Sequence, residues 1–145
     1  MQLILNPDHW ESMRRHVESS RPLEACGLLA GKDGSVMKVF LIANQAQSSV
    51  RFQMEPVEQL KAFDLMEAAG LELVGIFHSH PSGPETISAT DIAEAAYPVV
   101  QIIWSRSNTL VTGLRLQPGS NWIARAFWID NGKAEEVTLQ LTNNE

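Results

Sequence analysis

Glu72-Leu73-Val74-Gly75-Ile76-Phe77-His78-Ser79-His80-Pro81-Ser82-Gly83-Pro84-Glu85-Thr86-Ile87-Ser88-Ala89-Thr90-Asp91 is the stretch from which fold and chemistry are both read. Its first six residues are a short run rich in strand formers, so His78 and His80 stand two apart at a strand's end and project to one face, with Ser79 on the other. Pro81, Gly83 and Pro84 break the strand and force a loop. Ser88 then opens a helical run from Ala89 to Ala96 and places Asp91 in its first turn. Two neutral imidazoles and one carboxylate make three protein ligands. For zinc that number leaves a fourth tetrahedral position open to water, as catalytic rather than structural sites do.

Each part of the pattern also has an ordinary structural reading. Ser88 can serve as an N-cap, with Asp91 three residues on, where a carboxylate suits the free backbone N–H groups and the helix dipole. A His-x-His pair alone is common on strand ends. Capping, however, requires neither two histidines on one face a loop upstream nor the stiff Pro-x-Gly-Pro connection, and the combination favours metal binding.

Working outward, helices and strands alternate. Leu3 to Leu5 reads as a strand; Asp8 reads as the cap of a helix running to about Ser19, with Glu11 as its capping-box partner and Trp10, Met13 and Val17 on one face. Glu24 to Ala30 and Ser35 to Ala43 read as a hairpin joined through Asp33-Gly34. Arg51 to Met54 reads as a further strand. A helix follows from Pro56 to Ala69, closed by Gly70, with Val57, Leu60, Phe63, Leu65 and Met66 as its apolar face. Strands are expected at Val99 to Trp104, Thr109 to Gln117, Trp122 to Ile129 and Ala134 to Leu141, the last two joined by Asp130-Asn131-Gly132. Trp104, Trp122 and Trp128 suit core or dimer packing. His9 and His16 share a helix face without a carboxylate in register and are left out of the site.

A chain of 145 residues fits a single domain, 1–145, and 44% hydrophobic with 19% charged residues describes an ordinary globular protein. The formal net charge of −6 argues against nucleic-acid binding, which needs clustered Lys and Arg. No apolar run is long enough to span a membrane, and the N-terminus lacks the features of a secretory signal, so a cytoplasmic location is expected. The one cysteine, Cys26, rules out an internal disulfide framework; it sits in an apolar run and is assigned no chemistry.

The spacing His78-x-His80-Pro81, then Ser88-x-x-Asp91, together with an upstream glutamate in Glu24-Ala25-Cys26-Gly27-Leu28-Leu29-Ala30-Gly31, resembles the JAMM (MPN+) zinc metalloprotease motif. The resemblance runs from the first strand to about Ser105 and is looser beyond. It implies that His78, His80 and Asp91 ligate one catalytic Zn²⁺, that Glu24 is the general acid/base, and that Ser88 helps stabilise the tetrahedral intermediate. The implied fold is α/β (α+β), a mixed central β-sheet, partly barrel-like, flanked by two to three helices. The implied reaction is hydrolysis after the C-terminal Gly-Gly of a ubiquitin-like or sulfur-carrier protein, as in free-standing prokaryotic members, by a monomer or homodimer. A narrow tunnel admitting only glycines would explain that selectivity, with Gly83 to Thr86 and the strand from Ser35 as candidates for its wall. Two other readings are a non-catalytic MPN-type interaction module and a RadC-like DNA-repair-associated protein. The first is disfavoured by the complete ligand set, the second by the acidity and by the lack of a helix-hairpin-helix region.

Overall fold

In the computed structural model, residues 2–106 and 121–142 are described. The expected strand Thr109 to Gln117 lies outside them. The described residues form β1 (Gln2–Leu5), α1 (Pro7–Ser20), β2 (Cys26–Lys32), β3 (Ser35–Ile42), α2 (Pro56–Ala68), β4 (Glu72–His80), α3 (Ala89–Glu94), β5 (Val100–Arg106), β6 (Trp122–Asp130) and β7 (Lys133–Leu141). The strands close into a mixed barrel in the order β1-β3-β2-β4-β5-β6-β7, with β7 returning to pair with β1 in parallel. The mixed α and β architecture expected from the sequence is therefore present.

Both hairpin turns are set by local chemistry. Asp33 and Gly34 have φ of 52° and 76°, and Asn131 and Gly132 have 51° and 74°, the left-handed pair that joins twisted antiparallel strands. Between them, β4 is the strand that matters most for function. It pairs antiparallel with β2, Cys26 opposite His78, and parallel with β5, His78 opposite Ile103 and His80 opposite Ser105.

The period of two along these strands separates two cores. Leu29 and Phe77 join Trp10, Met13, Val17, Ile102, Trp104, Trp122 and Ala124 in the larger one. Cys26, Leu28, Ala30 and Ile76 face Ala62 and Met66 of α2 in the smaller one. Each large aliphatic side chain buried this way contributes about 1.5–3 kcal/mol. Trp104 packs against Trp10 at 4.6 Å between ring centroids, confirming a core role. No helix among the described residues is long and apolar enough to cross a membrane.

Three local expectations are corrected. α1 is capped by Asn6, not Asp8: the Asn6 side chain accepts the His9 N–H at 2.9 Å and His9, not Glu11, completes the capping box. Pro7 is the cause, since its fixed φ and missing N–H suit the first helical position and move the cap back one residue. On α2 only Ala62 and Met66 are buried, while Val57, Leu60 and Leu65 are exposed. Apolar residues occur all round that helix, so their spacing alone does not choose the face that meets the sheet. Arg51 to Met54 forms a single bridge, Asn44 to Met54, instead of a strand. There the Asn44 side chain accepts the Gln53 N–H at 2.9 Å and donates to the Arg51 carbonyl at 3.1 Å, replacing ladder bonds with side-chain bonds.

Gly27 carries the close crossing of β2 under Phe77. A Cβ there would stand 2.2 Å from the Phe77 ring and 2.4 Å from the Phe40 carbonyl oxygen, and backbone cannot yield cheaply. Gly27→Ala is expected to lower the free energy of unfolding by about 3 kcal/mol in urea denaturation; a variant as stable as the parent would contradict this packing.

Candidate metal centre

His78 and His80 lie on the same face of β4 as Ile76, and Glu24 precedes β2 in phase with Cys26, Leu28 and Ala30. Because Cys26 is opposite His78, continuing the antiparallel register brings Glu24 toward His80. Glu24, His78 and His80 are 3%, 0% and 5% exposed, and each offers an atom lying within 4.8 Å of the others'. This trio of described residues could hold a metal ion. The loop after β4 brings in a fourth group: Asp91, in α3, approaches His78 Nε2 at 3.2 Å through Oδ1 and His80 Nε2 at 3.0 Å through Oδ2.

Ser88 and Asp91 also cap α3, as one reading of the sequence expected. The Asp91 N–H donates to Ser88 Oγ and the Ser88 N–H to Asp91 Oδ2, both at 3.0 Å. Capping and convergence on the histidines are thus the same geometry, with the carboxylate held by the helix start and aimed at the imidazoles.

Hydrogen bonding shows what this cluster lacks. His80 Nδ1 donates to the Pro84 carbonyl at 2.8 Å, which in the neutral tautomer leaves Nε2 as a bare lone pair. That lone pair faces the Asp91 carboxylate at 3.0 Å and His78 Nε2 at 3.1 Å. Acceptors so close require a proton or a cation between them. Nitrogens bound tetrahedrally to one zinc at about 2.0–2.1 Å would stand roughly 3.3 Å apart, so the set is already near that spacing. Glu24 Oε1 is also buried without a hydrogen-bond partner among the described residues. The donor set fits a divalent ion.

The titration directions follow from burial and from these contacts. Burial, with a smaller push from Asp91 and opposition from His80, raises Glu24 to about 7. Burial also opposes ionisation of Asp91, but the two histidines and the Ser88 N–H outweigh it and hold the carboxyl far below the ordinary range. His78 is lowered, chiefly by burial. His80 is raised, because the Asp91 carboxylate, the Pro84 carbonyl and Glu24 together exceed the effect of its burial. Burial pushes the Cys26 thiol to about 12, consistent with the inert role expected of it.

Beside the cluster opens a cavity of about 420 Å³ lined by Phe52, Met54, His78, Asp91, Glu94 and Tyr97, among others. The Phe52 ring stacks on His78 at 4.5 Å. Arg51 and Glu94 form an ion pair at 3.3 Å between the two walls. Neither Gly83 to Thr86 nor β3 lines this cavity. Residues 51–54, read from the sequence as a strand, carry no periodic signal that would place them beside His78. Two other depressions, over β6 and β7 and against α1, lie away from the cluster.

Residues 6–130 match the family model described as prokaryotic homologs of the JAB domain. A desampylase of Pyrococcus furiosus is 41% identical over 101 residues, 69% of this chain and 72% of that protein. A CysO-cysteine peptidase of Mycobacterium tuberculosis is 34% identical over 98 residues, 66% of this chain and 67% of that protein. The solution structure of protein DSY2949 from Desulfitobacterium hafniense superposes with a TM-score of 0.82 at 32% identity, covering 99% of this chain and 94% of that one.

Glu24 keeps its proton to about pH 7 in the fold but only to about 4.5 when unfolded. Its contribution to stability is therefore complete below pH 4.5 and is lost as pH rises through 7. In metal-free protein, Glu24→Gln is expected to gain about 3 kcal/mol on the parent between pH 4.5 and 8, measured by denaturation in chelator. Parallel pH profiles for the two proteins would contradict the buried, proton-holding state.

Proposed function

The chain belongs to the prokaryotic JAB-domain family, and we propose that it is a zinc-dependent metalloprotease hydrolysing the peptide or isopeptide bond after the C-terminal Gly-Gly of a ubiquitin-like or sulfur-carrier protein. Relatives named desampylase and CysO-cysteine peptidase support that reading. The observation that carries the mechanism is the Asp91 carboxylate facing the lone-pair nitrogen of His80 at 3.0 Å, with His78 beside it.

His78, His80 and Asp91 would hold the ion, with the cap of α3 orienting the carboxylate and the Pro84 carbonyl fixing the His80 tautomer. When bound, the ion would polarise the scissile carbonyl and acidify the attacking water. Glu24, raised to about 7, is suited to accept that water's proton near neutrality and to return it to the leaving nitrogen. Ser88 Oγ accepts the Asp91 N–H, which leaves its own O–H proton to be donated to the oxyanion on the substrate. An extended tail would enter between residues 51–54 and 94–97, which line the cavity beside His78, and a Gly-Gly end would bring no Cβ to clash there. A single buried thiol suits a reducing cytoplasm.

Two substrates test this reading, a ubiquitin-like protein with a C-terminal fusion and one joined through Gly-Gly to a lysine. Scission after the second glycine is expected, lost with a zinc chelator and restored by zinc. Glu24→Gln should lower turnover by roughly 10²–10⁴-fold while keeping bound zinc; near-native hydrolysis by that variant would remove Glu24 from its role. Asp91→Ala should no longer hold stoichiometric zinc by elemental analysis, and unchanged affinity would remove Asp91 from the ligand set.

A further inference from the structure

Glu24 lies beyond the regular β2–β4 ladder, which ends at Cys26 opposite His78. Among the described residues its carboxyl Oε1 has no hydrogen-bond partner, so the backbone that carries the side chain has a large share in its aim. That backbone is held on both sides. The Glu24 N–H donates to the Ser48 carbonyl at 2.8 Å, and the Glu24 carbonyl accepts from Asn44 Nδ2 at 3.0 Å. One residue on, the Ala25 N–H donates to the buried Ser79 Oγ at 2.8 Å, and the Ser79 N–H donates to the Ala25 carbonyl at 3.0 Å. Ser79 stands between the two histidines with its side chain on the opposite face of β4. The segment that presents both imidazoles therefore also anchors the chain at Glu24.

Asn44 does more than hold Glu24. Its Nδ2 also donates to the Arg51 carbonyl at 3.1 Å, and its Oδ1 accepts the N–H groups of Ala46 at 3.0 Å and Gln53 at 2.9 Å. Nδ2 also has a longer contact with the Ser48 carbonyl at 3.5 Å, so both donors and both acceptor sites of the carboxamide are engaged. Arg51 and Gln53 line the cavity beside His78. One side chain thus ties the cavity wall to the backbone of Glu24.

We propose that Ser79 and Asn44 are positioning residues for Glu24, and that Asn44 also couples Glu24 to the wall that receives substrate. This rests on Glu24 acting as the acid/base. A shift of about 1 Å in such a group can cost about a hundredfold in rate, and neither Ser79 nor Asn44 needs to touch substrate for its loss to be felt.

Ser79→Ala, Ser79→Thr, Asn44→Asp and Glu24→Gln are compared by kcat and KM on a Gly-Gly fusion, by zinc content and by thermal unfolding. Asn44→Asp keeps the shape and both acceptors but removes both donors. Ser79→Ala is expected to lower kcat roughly tenfold with KM within twofold, and Ser79→Thr to restore it, while Asn44→Asp lowers kcat to a similar degree and raises KM severalfold. All should hold as much zinc as the parent. The proposal is overturned if Ser79→Ala and Asn44→Asp keep kcat within twofold, or if activity falls only in step with zinc content or folded fraction. A fall in kcat for Asn44→Asp with KM unmoved overturns the coupling to the wall. Should Asn44→Asp not fold, the Ser79 pair decides, and an unchanged kcat in Ser79→Ala overturns the proposal. An active Glu24→Gln sinks the assignment of Glu24 itself; an inactive Glu24→Gln beside fully active Ser79 and Asn44 variants sinks only the positioning.

Discussion

The pairing of Cys26 with His78 across β2 and β4 is the constraint on which the rest of the molecule depends. A strand exposes alternate residues to alternate faces, so this one register sends Leu29 and Phe77 into the larger core and Glu24, His78 and His80 to the other side. A slip by one residue would invert every member at once. Gly27 guards that register from within, because only a residue without a Cβ fits beneath Phe77. Core packing and the convergence of Glu24, His78 and His80 are therefore specified by the same hydrogen bonds.

The site so produced is electrostatically incomplete. Two histidines and a glutamate are withdrawn from water beside an aspartate, and burial disfavours the charged form of each. Local partners offset part of that cost: the cap of α3 for Asp91 and the Pro84 carbonyl for His80. What remains is a knot of lone pairs that a divalent ion would resolve, and binding it would add its free energy to that of the fold.

Local features were legible in the sequence. The His78, His80, Ser88 and Asp91 spacing, the left-handed hairpin turns and the buried face of α1 each depend on residues close together in the chain. Glu24 is different. Nothing in its own surroundings marks it, and its partnership with His80 arises from a pairing between distant strands, so only the resemblance to a known motif pointed to it. Residues 51–54 look like a strand in the sequence but are held by bonds from one asparagine side chain, which leaves no period to read. The face of α2 was misjudged for the opposite reason, since apolar residues surround the helix and several phases satisfy the pattern. The N-terminus of α1 turned on the single residue Pro7.

The most direct test of the central claim is X-ray absorption at the zinc edge on protein loaded with one equivalent of metal. A four-coordinate site with two imidazole nitrogens and oxygen ligands at about 2.0–2.2 Å is expected, unaltered in Cys26→Ser protein. A sulfur scatterer at about 2.3 Å, or a spectrum with no imidazole contribution, would contradict it.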